Sequence, residues 1–490
     1  MTFSAAMSSR VHASLAGHLL RADGQEDVCL ATYAPSTGSA RTSAVISEVL
    51  LPQPGERAVH GNASFTGDYF VRAASHAAAR GQGVVALHSH PGGVGWQFLS
   101  GTDHDTERSY THLIHELTGL PLTGMTLAGD SSWSCRRWDL SGNPEHGESV
   151  RVVGDRFIVT WNDQLRPVPR IGSAQVRTVS AWGETAQANL ARIRVLVVGV
   201  GSVGLDVALR LAATGIVHVG VMDFDSMEVI NLDRMIGPAL ADVRLARSKV
   251  EVAARLMAKA ATAEHPDITV HDLSICEPTG LAAALDYDIV ISCVDRPWAR
   301  GVLNTVAFAD LVPVIDGGIG IDTFDNGEMR NAVWRSHTLV PDQPCLVCNR
   351  QLNASDIQTD KLGLFDDPEY LRRASIDTTP RRQNVAALAA SVSASVLVQF
   401  VSLTIAPGGI GLPGPLRYAL STHTLEHLDI ALNPNCAFEA ATSAGDGRIP
   451  LTGAHPAAQK ARDERHARQA RPAVRLRRRL SALGVWLTDR

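Results

Sequence analysis

Along the 490-residue chain, hydrophobic positions repeat with two different periods. DYFVRAASHAAARG, from Asp68, spaces its alanines and larger apolar residues as one face of a helix. QGVVALH, from Gln82, is a short continuous apolar run and predicts a buried strand. PGGVG comes at once after it, and its Pro and Gly end the strand in a loop. Helical spacing resumes in DHDTERSYTHLIHELTG, with Ser100 or Thr102 placed to cap it. Together with the strand-like run VCLATY upstream, this mixture predicts an α+β domain over residues 1–150.

Residues 151–190 begin strand-like and lead into a helix before Arg192; they read as a linker with a lead-in helix. RVLVVGVGSVGLDVALRLAATGIVHVGVMDFD then reads strand, glycine turn, helix, strand. ARSKVEVAARLMAKA predicts a further helix, and ITVHDL and YDIVISCVD predict buried strands. LVPVIDGGIGID reads as a strand followed by a tight glycine turn, and QNVAALAASVSASVLVQFVSL as a buried helix. Strands alternating with helices predict an α/β, Rossmann-like domain with a mostly parallel sheet over 191–442. Residues 443–490 form a tail in which ten Lys and Arg face three acids from Lys460 onward. Such a run is a basic helix, a partner-binding arm or a disordered segment, and the plainest expectation is disorder or an exposed helix.

Composition adds less. Hydrophobic residues are 45% and charged residues 19%, as in globular chains. A net charge of -5 gives no reason to expect a nucleic-acid partner. Without a run of 18 or more apolar residues we expect no membrane partner. The opening MTFSAAMSSRVHASLAGHLL lacks a charged start, a long apolar core and a cleavage site, so no secretion signal is expected. Of seven cysteines only Cys345 and Cys348 are closely spaced, which suits a reduced, cytoplasmic chain.

HSHPGGVGWQFLSGTD carries the first candidate chemistry. His88 and His90 share one face of a strand end, and Asp103 falls in the first turn of the next helix. Two imidazoles and a carboxylate suit a catalytic zinc with water as fourth ligand, although a polar strand-end loop has the same composition. A general base would come from Glu26, directly before VCLATY, or from Glu48 in SEVLLP. His76, His104, His112 and His115 are scattered and are not read as ligands. The HxH, loop and SxxD pattern resembles the JAMM (JAB/MPN) zinc isopeptidases over roughly residues 12 to 145. That resemblance implies His88, His90 and Asp103 as zinc ligands, Ser100 as a stabiliser of the tetrahedral intermediate and Glu26 as base. The loop from His90 to Ser100 is somewhat longer than in familiar members.

Gly199, Gly201 and Gly204 form GxGxxG, which brings a phosphate to a helix N-terminus but serves NAD- and FAD-binding proteins equally. The residues downstream of the glycines separate these classes. Asp223, Asp225, Asn231 and Arg234 cluster after one strand, Lys249 opens the next helix, and Asp295 ends a strand where a magnesium could sit. A nicotinamide site has no need of that arginine, whereas a triphosphate does. The series resembles the ThiF/MoeB and ubiquitin-activating adenylyltransferases from about Arg194 to Cys436. The resemblance implies ATP and Mg2+ as cofactors. It implies Asp223 on the ribose, Asn231 and Arg234 on the phosphates, Lys249 beside them, Asp295 on magnesium, and adenylation of the C-terminal glycine of a ubiquitin-like or sulfur-carrier protein. It also implies a homodimer, and a conjugating enzyme or sulfur donor as a further partner. Met235 stands where the family motif commonly has Gln.

The cysteines depart from that pattern. Cys345 and Cys348 form a CxxC, Cys436 lies far downstream, and Glu439 stands where related enzymes carry a fourth cysteine. A structural zinc on three thiolates and a carboxylate, and a degenerate metal-free site, are both open readings. No cysteine lies between Asn349 and Phe400, where related enzymes place an acceptor. Cys276 or Cys436 could form a thioester only if the fold brings it near the adenylate, and Cys293 is expected to be an inert core residue. The combined expectation is a bifunctional bacterial-type protein, which trims a ubiquitin-like protein with zinc and adenylates the exposed glycine with ATP. The alternatives are an adenylyltransferase with a non-catalytic binding module, and a nucleotide-sensing scaffold.

Overall fold

The computed structural model describes residues 1–60, 62–373 and 383–482. Its first sheet has nine strands, in the order Phe157–Trp161, Ser149–Val153, Thr2–Ser8, Arg41–Leu50, Val28–Thr37, Gly83–His90, Thr123–Ala128, Trp133–Trp138 and Pro144–His146. Alternation along the strands splits the apolar residues between two faces. Phe3, Met7, Leu87, Met125 and Trp133 pack with Leu15 and Leu19 of the helix Ser9–Leu19. Leu30, Val84 and Ala86 pack under the helices Gly67–Ala78 and Gly101–Thr118 through Tyr69, Phe70 and Ile114. The strands Ser149–Val153 and Phe157–Trp161 complete this sheet, so the start of the expected linker belongs to the first domain's sheet.

The second sheet has eight strands, in the order Asp267–His271, His218–Met222, Arg194–Val198, Ile289–Ser292, Val314–Thr323, Met329–Leu339, Leu416–Ala419 and Thr424–His427. The first five run parallel, and the last three add antiparallel pairings. The helices Ser202–Thr214, Lys249–Ala260 and Ala386–Ile405 cover one face; Pro278–Ala284 and Pro297–Ala309 cover the other.

Two sequence expectations for this domain are corrected by the fold. ITVHDL is not a buried strand: Asp267–His271 ends the sheet, with one side unpaired, and is largely exposed. The glycines of DGGIGID do not turn; the strand runs on from Val314 to Thr323. Gly317 is needed for close approach, since a Cβ there would stand 2.4 Å from Val396 Cγ2 of the covering helix. That helix, Ala386–Ile405, is long and apolar enough by length and composition to cross a membrane. It packs instead on protein, where Ser393 donates to the Val203 carbonyl, Ser395 meets Ser336 at 2.6 Å and Gln399 accepts from Thr338.

The first sheet docks on the amino ends of the parallel strands. Arg41 donates to Asp288 and to the Leu285 and Tyr287 carbonyls, and Arg151 lies 3.6 Å from Asp288. Burial alone would raise the Asp288 carboxyl, but Arg41, Arg151 and Arg194 hold it well below the usual carboxylate range. Asp286 accepts from the backbone amides of Ala40 and Arg41, and Glu148 pairs with Arg194.

The tail is neither disordered nor free-standing where it is described. The helices Pro456–Ala470 and Pro472–Ala482 lie on the second domain. Buried Arg465 donates to the Phe224 carbonyl at 2.8 Å and pairs with Asp272; Arg462 pairs with Glu277, and Arg478 with Glu251. Residues 483–490 of the tail lie outside the described residues.

Candidate active sites

The strand Gly83–His90 ends on the two histidines, and the helix Gly101–Thr118 begins beside them. Their Nε2 atoms are 3.2 Å apart, and each is 3.8 Å from Asp103 Oδ2. A tetrahedral zinc with ligand bonds of about 2.0–2.2 Å separates its ligand atoms by roughly 3.3–3.5 Å, so the three groups nearly describe such a shell. Asp103 is turned inward by its own helix cap. Ser100 accepts from the Asp103 amide and donates its hydroxyl to Asp103 Oδ2 at 2.6 Å. Thus the serine hydroxyl, which the resemblance assigns to the tetrahedral intermediate, is bonded to the carboxylate.

Burial pushes the His88 imidazole down to about 3, which keeps it in the neutral form that a metal binds. His90 is raised, chiefly by the Asp103 carboxylate 3.8 Å away. Glu26 stands two residues before Val28, the cross-strand partner of His88. Burial raises its carboxyl, and the charges of His90 and Asp103 act on it. Glu48 is exposed and bonded to His76 at 2.8 Å.

The glycine loop comes after the strand Arg194–Val198. Gly199 has φ +86, and a Cβ there would meet the Cys293 carbonyl oxygen at 2.6 Å. A Cβ on Gly204 would lie 1.9 Å from the Gly199 oxygen, whereas a Cβ on Gly201 meets nothing within 4 Å. The first and third glycines therefore close the turn onto the helix, and the second faces open space where a phosphate could approach.

Asp223 fixes this loop: Oδ2 accepts from the Val200 amide at 2.7 Å and Oδ1 from the Asp225 amide at 2.8 Å. Desolvation raises its carboxyl, against the pull of Lys249. Lys249 donates to Asp225 Oδ2 at 2.7 Å, and its amide bonds the Asp225 carbonyl. Burial acts against the ammonium, but Asp223, Asp225 and Asp295 together hold it above its ordinary value. Exposed Asp295 lies in the loop after Ile289–Ser292. The structure thus gathers Gly199, Gly201, Gly204, Asp223, Asp225, Lys249 and Asp295. Asn231 and Arg234 stay with their own loop: Asn231 Oδ1 accepts from the Glu228 amide, and Arg234 donates to the Ile230 carbonyl and to Asp233.

Cys345 Sγ lies 3.6 Å from Cys348 Sγ and 3.5 Å from Cys436 Sγ. Zinc–sulfur bonds of about 2.3 Å would put tetrahedral sulfurs roughly 3.8 Å apart, so the three thiols fit a zinc. Glu439 is not gathered with them. One of its oxygens accepts from the Asp342 amide, and the other is buried without a partner among the described residues. Burial pushes the Cys276 thiol up to about 12 and also raises Cys293, which packs against the glycine turn.

Sequence reasoning missed the ionic cluster of Asp316, Arg300, Arg335 and Ser292 beside this crevice. Asp316 within an apolar strand was the available signal; nothing local marks Arg335.

Residues 173–437 match the ThiF family model. The chain is 25% identical over 230 residues to the adenylyltransferase and sulfurtransferase UBA4 of Kluyveromyces lactis, covering 45% of this chain and 46% of that one. It is 31% identical over 144 residues to the molybdopterin-synthase adenylyltransferase of Escherichia coli (strain K12), covering 28% and 55%. The chain therefore spans about half the length of these curated relatives. A crystal structure of E. coli MccB with MccA-N7isoASN aligns at 19% identity and a TM-score of 0.45, over 55% of this chain and 75% of that one. The family match leaves residues 1–172 outside it but takes in more than half of the chain, which belongs to the ThiF family.

Proposed function

We propose that this protein is an ATP-dependent adenylyltransferase acting on the C-terminal glycine of a ubiquitin-like or sulfur-carrier protein, and that its first domain is a JAMM-like zinc peptidase which exposes that glycine. The observation that carries the reading is Lys249 held among Asp223, Asp225 and Asp295, with Asp223 bonded to the glycine loop through the Val200 amide. The ThiF relatives named as adenylyltransferases support it.

In the activation step the carboxylate attacks the α-phosphorus of ATP, the bond to pyrophosphate breaks, and no proton is transferred. The helix N-terminus behind Gly201 takes phosphate oxygens, Lys249 adds positive charge beside them, and Asp223 takes ribose hydroxyls. Asn231 and Arg234 would reach the phosphates by leaving their loop contacts. Asp295 would hold magnesium, which when bound neutralises the phosphate charge. In the cleavage step His88, His90 and Asp103 would hold zinc, which when bound polarises a carbonyl and acidifies water. Glu26, with its raised carboxyl, holds the proton between the attacking water and the departing amine. Ser100 keeps Asp103 aimed inward. A structural zinc would sit on Cys345, Cys348 and Cys436. We read the assembly as a cytoplasmic homodimer, with a conjugating enzyme or sulfur donor consuming the adenylate.

One feature favours a second reading, a non-catalytic first domain: the Ser100 hydroxyl is committed to Asp103. Two measurements decide. Carrier-dependent ATP–pyrophosphate exchange is expected in the wild type and lost in Asp295→Ala. Zinc is expected at one equivalent or more per chain and to fall by one in His88→Ala. No exchange, together with less than one zinc, would sink the bifunctional reading.

A further inference from the structure

Asp316 pairs in register with Ser292, the last residue of the strand that leads into Asp295. Its carboxylate is filled by Ser292 Oγ at 2.8 Å and by Arg300 Nε and Nη2 at 3.2 and 2.7 Å. A second guanidinium, that of Arg335, comes to 3.8 Å from the same carboxylate. His337, opposite Asp316 in register, is buried and pushed down to about 4 by that burial, so it is neutral. One carboxylate therefore faces two permanent cations. Among the described residues Asp316 is the only acid paired with Arg335, whose Nε is buried without a hydrogen-bond partner. The side chain is 28% exposed, enough for an anion to reach it.

The direction of the surplus charge is fixed by a glycine. Arg335 lies opposite Gly318, and its guanidinium folds over it; a Cβ there would be 3.0 Å from Nη2. Gly318 is two residues past Asp316, hence about 6.6 Å beyond the last pair of the Ile289–Ser292 strand, at the end from which the chain runs on to Asp295. The cation sits at the carboxyl edge of the sheet, where ligands of such folds bind.

We infer that Arg335 receives the C-terminal carboxylate of the incoming carrier tail and orients it toward the nucleotide, with Asp316 and Arg300 as its buried support. This rests on the adenylation reading. A planar guanidinium takes a carboxylate through two parallel hydrogen bonds. The carboxylate loses its negative charge as the acyl-adenylate forms, so the contact belongs to the ground state and acts on carrier KM more than on kcat.

The test uses the full chain and a short synthetic peptide ending in Gly-Gly, as the free acid and as the C-terminal amide. The wild type is expected to bind the acid in preference to the amide. Arg335→Gln and Arg335→Ala are expected to abolish that preference and raise KM for the acid in pyrophosphate exchange by roughly tenfold or more, with Arg335→Lys recovering part. ATP affinity and Tm stay at wild-type values. Persistence of the acid preference in Arg335→Gln, or a matching loss of ATP affinity, overturns the assignment. Absence of exchange in the wild type alongside a retained acid preference overturns the adenylation reading instead.

Discussion

The three glycines after Val198 are chemically identical and do different work. Gly204 has no room for a methyl group, because backbone stands 1.9 Å from where it would go, whereas Gly201 has open space. Gly204→Ala is therefore expected to destabilise the protein by about 1–3 kcal/mol, read as a lower Tm without nucleotide. Gly201→Ala is expected to leave that Tm unchanged and to weaken ATP binding, because the added methyl occupies the approach to the helix N-terminus. Calorimetric Tm and ATP titration on both variants check this; equal Tm losses would show that the second glycine is also a packing residue. Sequence spacing finds all three glycines, but only the packing distances separate their roles. Arg234 teaches the converse. Its type and spacing mark it for phosphates, yet here it is folded onto the Ile230 carbonyl, a choice between two acceptors that spacing does not encode.

At the scale of elements, the tail forms the largely exposed basic helices that its charge run allowed, but the run does not show how they dock. Ten Lys and Arg against three acids read as a basic helix, a partner-binding arm or a disordered segment. Arginine also docks, through its donors, onto carbonyls and carboxylates: Arg465 is 2% exposed and bonds the carbonyl of Phe224, between Asp223 and Asp225. Arg465→Ala is expected to cost about 1–3 kcal/mol, at the low end because Asp272 is partly exposed, and to weaken ATP binding by loosening the Asp223–Asp225 turn. Proteolysis between residues 450 and 482 should speed up in the variant; unchanged cleavage and ATP affinity would make the contact incidental. Helices with a clear period, such as Gly67–Ala78 and Lys249–Ala260, were legible because burial of one face dictates the spacing. The strand through Gly317 and Gly318 was not, because glycine signals a turn locally and a close approach only once Val396 and Arg335 are in place. The His88, His90 and Asp103 cluster was legible because a strand end and a helix cap, both visible in sequence, bring it together.

At the scale of the molecule, the first domain and the glycine-loop crevice stand at opposite ends of the parallel strands. Gly199, Asp223 and Asp295 lie past the carboxyl ends of parallel strands, whereas Arg194, the first residue of its strand, and Asp286 and Asp288, just before theirs, receive the first domain at the amino ends. A five-residue strand spans about 17 Å, so the body of the second domain separates the triad's domain from the nucleotide crevice. On the bifunctional reading, a carrier whose tail is cut at His88 and His90 is therefore expected to leave the first site before it is activated at the second. An equimolar mixture of His88→Ala and Asp295→Ala chains is then expected to convert an extended carrier to adenylate, at about half the rate of the same total of wild-type chains, since each step keeps half its sites. Excess pre-trimmed carrier is expected to compete fully with the extended form in the wild type. A mixture that produces no adenylate, with each variant active in its remaining step, would mean that the tail is handed over without release. The domain junction would then have to open far enough to break the burial of Asp288 between Arg41 and Arg151.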